Sequence, residues 1–339
     1  MSPRIPVTVL GATGVVGQRF VRRLASHPLF EIQSLAASER SAGKAYREAC
    51  AWRLPGEPYA GLGDLRLVAA TPETAFSPVV FSALDKEPAT QLEPLFAAKG
   101  AFVFSNASAF RMVPDVPLLI PEVNPGSLAL LREQQARRGW KGGIVCNANC
   151  TATVLALALA PLQEAFGIET VLMTSLQAAS GAGYPGVPSL DLLGNVVPFI
   201  RGEEPKVEEE IPKLLGTRFP LSALCHRVAV VDGHSEAVSV KLRGNPDPET
   251  VREVLEAWRP EALNLPSAPP VAIRVHTAED RPQPRLDVEA DGGLSVHVGR
   301  LRPCPVLGLK FALLGHNTER GAAAGSLLNA ELAVAEGWV

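Results

Sequence analysis

The residue with the clearest chemical potential is a cysteine placed where a strand becomes a helix. A glycine pair and a short apolar run lead into Asn147-Ala148-Asn149-Cys150, and a long Ala/Leu segment follows. The free N–H groups and the positive dipole end of such a helix favour a thiolate, and a Cys with a lowered pKa is a nucleophile near neutral pH. The alternative is a buried Cys that acts as a small hydrophobe. Because the flanking Asn residues favour a turn, we take Cys150 as the candidate nucleophile.

A cysteine nucleophile needs a neutral base with a pKa near 7. His234 lies in a Gly-His-Ser-Glu segment that the pattern places in a turn between two apolar strands, a poor place for core packing. His316, in a Gly-His-Asn-Thr turn, is left open between a helix cap and a cofactor contact. Cys146 and Cys150 are four residues apart with no matching pair elsewhere, so no zinc site is expected.

Further polar groups lie at the ends of other predicted strands. Gln177 closes a strand ahead of a turn of small residues, where an amide can reach an acyl oxygen. Arg111 follows a strand of the predicted parallel sheet, at the edge where ligands bind. It either meets an anionic substrate or is a solvated surface residue. The charged segment from Glu203 through Lys206, taken alone, is typical of a solvated helix face.

The N-terminal segment predicts a dinucleotide site. A short apolar strand, residues 5–10, runs directly into Gly11-Ala12-Thr13-Gly14-Val15-Val16-Gly17, and a helix is predicted over residues 14–25. Glycines with this GxxGxxG spacing allow a tight turn and let a pyrophosphate approach the helix N-terminus.

The end of the second strand indicates which nucleotide binds. This strand, residues 30–37, is followed by Ser38-Glu39-Arg40-Ser41. A carboxylate here usually binds the ribose 2′-hydroxyl of NAD, whereas a hydroxyl and a guanidinium suit a 2′-phosphate. We therefore predict NADP, with an inward-turned Glu39 as the arrangement that would reverse the preference.

The order of the elements predicts an α/β fold of two domains. Strands at residues 79–84 and 101–105 alternate with a helix at 90–98, as in a doubly wound, Rossmann-type parallel sheet. Later strands at 170–178, 228–231, 237–242, 272–276 and 294–299 predict an α+β domain with a mostly antiparallel sheet. An Ala-rich helix over 319–338 is expected to return to the first domain. The predicted division is 1–149, completed by 317–339, and 150–316.

Composition restricts the class of protein. The chain has 339 residues, 47% of them hydrophobic, and a net charge of −3, which supports two cores and gives no overall electrostatic reason to bind nucleic acid or a membrane. Five cysteines without framework spacing indicate a reduced, cytoplasmic protein.

Seven motifs in order resemble the aspartate-β-semialdehyde dehydrogenase family, in particular its archaeal and fungal branch. They are GATGVVG, SNASAFRM, NANCTA, QAASGAG, EEPK, RVAVVDGHSE and HNTERGAAAGSLLNAEL, spread between Val7 and Leu332. The resemblance implies NADP-dependent reductive dephosphorylation of L-aspartyl-4-phosphate to L-aspartate-4-semialdehyde, a step in lysine, threonine and methionine biosynthesis. It also implies a homodimer or homotetramer with small-molecule substrates and phosphate as its ligands.

The resemblance further implies a role for each motif residue. Cys150 would be the acyl-accepting nucleophile, His234 the acid/base and Gln177 the group that orients the acyl chain. The substrate contacts are expected from Arg227 and Glu203, which would grip the carboxylate and ammonium, from Arg111 and Lys206, which would hold the phosphate, and from Asn149. Cofactor contacts are expected from Gly11, Thr13, Gly14, Val15, Val16, Ser38, Arg40, Ser41, Ser180, Gly181 and Asn317.

Three rival interpretations use the same residues. A malonyl-CoA or succinyl-CoA reductase of the same branch shares the Cys and the His, but a CoA ester brings neither an ammonium nor an acyl phosphate. N-acetylglutamyl-phosphate reductase would leave Glu203 without an ammonium partner. A non-catalytic NADP-binding sensor has no need of a nucleophile, a base and anion clamps together.

Overall fold

Seven parallel strands form the first sheet of the computed structural model, which describes residues 3–339. They are β1 (Ile5–Leu10), β2 (Phe30–Ala37), β3 (Val68–Ala69), β4 (Val79–Ser82), β5 (Phe102–Ser105), β6 (Leu118–Leu119) and β7 (Gly143–Asn147). Their spatial order is β3-β2-β1-β4-β5-β7-β6. The order reverses on either side of β1, as in a dinucleotide-binding sheet. The doubly wound parallel sheet is thus confirmed.

Four helices connect these strands. They are α1 (Val15–Leu24), α2 (Tyr46–Ala49), α3 (Lys86–Lys99) and α4 (Leu130–Arg138). The strands β4, β5 and β7 are buried along their whole length, because helices cover both faces of a parallel sheet. The helix predicted at 90–98 begins four residues earlier, at Lys86.

The second half of the chain builds a six-stranded mixed sheet. Its strands are β8 (Ile168–Gln177), β9 (Leu221–Arg227), β10 (His234–Leu242), β11 (Ile273–Val275), β12 (Val296–Cys304) and β13 (Gly308–Gly315), in the order β11-β12-β13-β10-β8-β9. The three central pairings are antiparallel. The outer pairs, β8 with β9 and β11 with β12, are parallel. The mostly antiparallel second sheet is therefore confirmed.

One strand and one turn were placed wrongly from the pattern. Residues 228–231 are not a strand: β9 ends at Arg227, and the segment beyond it leaves the sheet with Val231 exposed. An apolar run alone could not distinguish a strand from this exit segment. His234 lies not within a turn but at the first position of β10.

The helix that begins at the nucleophile occupies the space between the two sheets. This helix, α5 (Cys150–Ala165), is buried at every position from Thr151 to Leu162, as expected for a helix that is apolar all round. Its side chains join one hydrophobic cluster with residues of both sheets, such as Val103 of the first and Val238 of the second. The helix therefore fixes how the sheets meet.

The remaining helices complete both layers. They are α6 (Ser189–Leu192), α7 (Glu203–Leu215), α8 (Pro248–Ala257), α9 (Pro284–Asp287) and α10 (Ala324–Ala335), the last preceded by a π-helical turn, Glu319–Ala323. Leu327 and Ala330 pack in the core of the first sheet with Phe20 of α1. The return of the C-terminal helix to this sheet is thus observed, although it ends at Ala335 and begins as a π turn. Among residues 3–339, no helix combines the length and apolar character needed to cross a bilayer.

Candidate active site

Cys150 is the first residue of α5, directly after the turn that leaves β7. Asn149 is the N-cap: its Oδ1 accepts hydrogen bonds from the N–H groups of Thr151 and Ala152, both at 3.0 Å. A side-chain cap of this kind satisfies N–H groups that have no partner within the helix. The strand-to-helix position predicted for Cys150 is therefore observed.

The sulfur of Cys150 lies 3.2 Å from Nε2 of His234. On the other side of the ring, the N–H of Ala178 donates to Nδ1 at 3.2 Å. Since Nδ1 uses its lone pair there, the neutral imidazole carries its hydrogen on Nε2, facing the sulfur. His234 is thus arranged to donate a hydrogen bond to a sulfur anion.

The expected lowering of the thiol pKa is not found. Burial raises the pKa of Cys150 to about 12, and the nearby carboxylate of Glu203 acts in the same direction. The charges of Arg111 and Arg227 oppose this rise. Burial also lowers the pKa of His234 to about 3, against the charge of Glu203. Both groups are therefore neutral near pH 7, because exclusion of water outweighs the helix terminus.

Glu203, at the start of α7, accepts hydrogen bonds from side chains of three residues. Its Oε1 accepts from Asn149 Nδ2 (2.9 Å), Thr151 Oγ1 (3.2 Å) and Gln177 Nε2 (3.3 Å), and its Oε2 lies 3.4 Å from Lys206 Nζ. Burial opposes ionisation of Glu203, but the hydrogen bond from Asn149 and the charge of Lys206 lower its pKa below the ordinary value. A carboxylate is thus held charged at the site. Its neighbour Glu204 instead accepts from the N–H of Cys225.

Two buried arginines flank the nucleophile. Arg227 donates from Nη1 to the carbonyl of Ala178 at 2.7 Å. Arg111 donates from Nη1 to Glu210 at 3.1 Å and from Nη2 to the carbonyl of Asn106 at 2.8 Å. The interpretation of Arg111 as a solvated surface residue is therefore wrong, since it is only 8% exposed.

A cavity of about 730 Å³ joins most of the predicted site residues. The predicted residues on its wall are Gly14, Val15, Val16, Arg111, Asn149, Cys150, Gln177, Ser180, Gly181, Glu203, Lys206, Arg227 and Asn317. The cavity spans the carboxyl edge of the parallel sheet and the small-residue turn after β8. Its size and its position at the order reversal of the sheet suit a dinucleotide beside a small substrate.

The predicted residues outside this wall are Gly11, Thr13, Ser38, Arg40, Ser41 and His234. His234 lies behind Cys150, in contact with its sulfur. Gly11 has φ +73°, and a Cβ there would lie 2.7 Å from the carbonyl oxygen of Ala83, so this glycine permits the turn to pack against the end of β4. Thr13 accepts from Gln18 Nε2 through its carbonyl.

The turn after β2 lies beside the glycine turn without entering the cavity. Ser38 and Arg40 are exposed, and the N–H of Ser41 donates to the carbonyl of Ser38 at 2.8 Å. Two residues before Ser38, the carbonyl of Ala36 accepts from the N–H groups of Gly11 and Ala12. The backbone of this turn therefore lies on the exposed surface beside the glycine turn.

Asn317 links the two turns that surround the base. Its Oδ1 accepts from the N–H of Gly233 (2.9 Å) and its Nδ2 donates to Ser180 Oγ (2.8 Å). His316 beside it is buried, with Nε2 3.4 Å from a carboxylate oxygen of Glu289. His316 does not line the cavity wall. Asn317 therefore lines the cavity, whereas His316 does not.

One buried acidic residue of the site was not predicted from the sequence. Glu210, on α7, contacts both Arg111 and the backbone N–H of Asn149. The available signal was its spacing of seven residues from Glu203, which places both carboxylates on one face of a helix. That signal was obscured because the acidic segment is typical of a solvated surface.

Comparisons with known proteins agree with this geometry. The model for the NAD-binding domain of semialdehyde dehydrogenases matches residues 6–131, and the model for the semialdehyde dehydrogenase dimerisation domain matches residues 159–320. The aspartate-semialdehyde dehydrogenase of Archaeoglobus fulgidus is 50% identical, over 98% of this chain and 99% of its own. That of Cryptococcus neoformans is 46% identical over the full length of both chains.

Solved structures extend the agreement to three dimensions. The crystal structure of aspartate semialdehyde dehydrogenase with NADP from Candida albicans has a TM-score of 0.91 at 40% identity, and covers 99% of this chain and 100% of that one. The similarity to these relatives thus covers both halves of the fold and nearly the whole length of the chain. The chain belongs to the aspartate-semialdehyde dehydrogenase family.

Proposed function

We propose that this protein catalyses the NADP-dependent reductive dephosphorylation of L-aspartyl-4-phosphate to L-aspartate-4-semialdehyde, through a thioester on Cys150. The observation that carries the proposal is the 3.2 Å contact between the sulfur of Cys150 and Nε2 of His234, in a cavity that also contains the glycine turn and a set of buried charges. The product would feed the biosynthesis of lysine, threonine and methionine.

The residues around the glycine turn fit NADP. No side chain caps the first turn of α1, so its N–H groups are free for a pyrophosphate. Ser38, Arg40 and Ser41 would meet the 2′-phosphate at the rim, while Ser180, Gly181 and Asn317 line the opposite wall. The reduced cofactor, when bound, supplies the hydride. The related Candida albicans structure contains NADP.

The charges around Cys150 fit an amino-acid phosphate. Arg227 would bind the α-carboxylate and Glu203 the ammonium, while Arg111 and Lys206 would hold the phosphate. Gln177 Nε2 is fixed by Thr151 Oγ1 at 2.8 Å, and would orient the acyl group from this position. Asn149 would complete the substrate contacts.

Each chemical step uses these groups. The thiol of Cys150 first loses its proton to solvent, and the sulfur, as thiolate, attacks the acyl carbon; the C–O bond to the phosphate breaks, and the phosphate leaves with one proton taken up from solvent. In the acid/base role proposed for His234, the ring acts as the acid: its Nε2–H donates to the sulfur anion before attack and after product release. Hydride transfer to the thioester carbon gives an oxyanion, which the backbone N–H of Cys150 would stabilise, since the N–H groups of Thr151 and Ala152 are occupied by the Asn149 cap. Cleavage of the C–S bond then releases the aldehyde and restores the thiolate.

A CoA-thioester reductase is the main alternative. It would use Cys150 and His234 but leave the charged Glu203 without an ammonium and Arg111 and Lys206 without an acyl phosphate. Since an amino-acid phosphate offers an oppositely charged group to each of these three residues, it is the better match. A nucleotide sensor would not require the thiol and imidazole in contact.

We further propose a functional division and an assembly. Residues 1–149 with 317–339 would bind the nucleotide, and 150–316 would carry catalysis and subunit contacts. Support for a homodimer comes from the match to a dimerisation domain and from exposed leucines on β8 and β9; two such dimers would form a homotetramer. Five free cysteines are consistent with a reducing, cytoplasmic location.

The decisive assay measures NADP reduction with aspartate semialdehyde as a function of phosphate or arsenate, beside NADPH oxidation with malonyl-CoA. We expect turnover only in the first reaction. Turnover with the CoA ester alone would overturn the substrate assignment.

Cys150→Ala should abolish activity while NADP still binds, and residual activity above about 10⁻³ of wild type would argue against covalent catalysis. Cys304→Ser, at the far end of β12, is the matched control and should remain active.

A further inference from the structure

Glu210 joins two parts of the site that no other described carboxylate connects. It lies on α7, seven residues after Glu203, and is 1% exposed. Its Oε1 accepts from Arg111 Nη1 at 3.1 Å, and its Oε2 accepts from the backbone N–H of Asn149 at 2.6 Å. Each oxygen therefore has a different partner, one on the segment after β5 and one immediately before Cys150.

We infer that Glu210 is a positioning residue, which holds the phosphate-binding Arg111 in register with the Cys150 turn. The inference rests on the proposed function, in which Arg111 receives the phosphate of the substrate. A leaving group and a nucleophile must be held at a fixed separation for attack, and small displacements slow such a reaction strongly. Glu210 provides that fixed separation through one rigid carboxylate.

The remaining contacts of Arg111 support this role. Nη2 is held by the carbonyl of Asn106, and Nε has no partner among residues 3–339 although it is buried. Arg111 also lines the cavity. With one N–H of each terminal nitrogen engaged, the guanidinium plane has one orientation, and three of its five N–H groups remain without a partner among residues 3–339.

The charges show a second reason for the arrangement. Each proposed phosphate cation contacts a carboxylate of α7: Lys206 lies 3.4 Å from Glu203, and Arg111 lies 3.1 Å from Glu210. Each cation is therefore held in place by a carboxylate of the same helix, which sets the separation of the two phosphate contacts. The two partners of Glu210, Arg111 and Asn149, are both substrate residues in the proposed function. We therefore expect Glu210 to affect the binding of phosphate and not the binding of the nucleotide.

The test uses Glu210→Gln, because an amide can accept only one of the two hydrogen bonds and presents N–H to the other donor. We expect the KM for phosphate to rise about tenfold or more in the oxidative direction, with the Kd for NADP within twofold of wild type. Glu210→Asp should recover part of the loss, and serves if the Gln variant fails to fold. Glu209→Gln, the same change at the exposed neighbouring position, is the matched control and should leave every constant unchanged.

A double-mutant cycle separates positioning from general damage. If Glu210 acts through Arg111, adding Glu210→Gln to Arg111→Ala should raise the KM for phosphate by less than twofold beyond Arg111→Ala alone. The inference would be overturned if the two substitutions raised the KM for phosphate additively. It would also be overturned if Glu210→Gln weakened the binding of phosphate, aspartate semialdehyde and NADP equally.

A second measurement distinguishes a failure of the proposed function from a failure of the role given to Glu210. Phosphate should protect Cys150 from alkylation by iodoacetamide, and the half-protecting concentration should rise about tenfold in Glu210→Gln. If wild type lacks phosphate-dependent turnover, the proposed function fails, while the protection midpoint still tests Glu210. An unchanged midpoint together with wild-type kinetics would refute the role of Glu210 alone.

Discussion

Glu93 illustrates how a buried side chain can support the site without touching it. Its Oε1 accepts from Ser105 Oγ at 2.6 Å, and Ser105 Oγ in turn accepts from the N–H of Ala107 at 3.1 Å. Glu93 is fully buried, and burial raises its pKa to about 7 against the hydrogen bond from Ser105. The protonated carboxyl thus joins α3 to the segment that leads to Arg111.

The raised pKa of Glu93 predicts a pH-dependent stability. Its contribution is complete below the unfolded value of 4.5 and is lost as pH rises through about 7, because the unfolded chain then binds fewer protons than the folded one. Glu93→Gln stays neutral, so its free energy of unfolding relative to wild type should increase by up to about 3 kcal/mol between pH 5 and pH 8. Urea titrations at both pH values measure this difference.

The control for this experiment is Glu87→Gln, the same substitution at an exposed position of α3. Parallel pH profiles for wild type and Glu93→Gln would contradict the prediction. A difference shared by both variants would point to net charge and not to the buried carboxyl.

The position of Cys150 could be predicted from the sequence, but Glu210 could not. The signals for Cys150 are local: an apolar strand, an Asn cap and an Ala/Leu helix occur within about 20 residues. The partners of Glu210 are 99 and 61 positions away in the chain, so only the fold brings them together. The pKa values of Cys150 and His234 were missed for the same reason, since both depend on burial between two sheets.

Among the elements, strands with clear boundaries were predicted best. β1 and β2 have the predicted ends, because a glycine turn and a polar turn stop them. The segment 228–231 failed as a strand, because the alternation of β9 had already ended at Arg227. Parallel pairing of β8 with β9 was not predictable either, since it depends on how α7 returns the chain between them.

The turn after β2 carries the cofactor prediction at this scale. Arg40→Ala should weaken NADPH binding about tenfold or more, the expected loss of one charge-assisted contact to a phosphate, and leave NADH binding within twofold. Fluorescence titration of both nucleotides measures the two Kd values.

Lys44→Ala, an exposed cation four residues further along, provides the comparison. Equal losses for NADPH and NADH in Arg40→Ala would exclude a 2′-phosphate contact. Stronger NADH binding in Glu39→Ala than in wild type would exclude an NAD-type role for that carboxylate.

At the scale of the whole molecule, the outer face of the six-stranded sheet is unusually apolar. Leu172 and Leu176 of β8 and Leu224 of β9 point away from α5 and are 45%, 43% and 51% exposed. Arg300, Arg302 and Lys310 line a groove on the same sheet. Exposed apolar patches of this kind mark protein interfaces, in accordance with the matched dimerisation domain.

Leu224→Glu should therefore convert the proposed homodimer to monomers. A twofold interface places the same leucine on both partners, so one substitution introduces two charges into the contact. Light scattering should show the mass fall to that of one chain. Leu95→Glu, at a residue equally exposed (52%) but on α3, is the control. An unchanged mass in Leu224→Glu would locate the interface elsewhere.

The π-helical turn that begins at Glu319 forms the wall behind the nucleophile. A Cβ at Gly321 would lie 2.5 Å from Cβ of Cys150, so the two backbones are in contact. Gly321 follows Cys150 by 171 residues (321 less 150). During translation the thiol, the parallel sheet and the start of α5 therefore all emerge long before the backbone that closes the site. A chain synthesised only as far as α5 therefore has the cysteine without its enclosure.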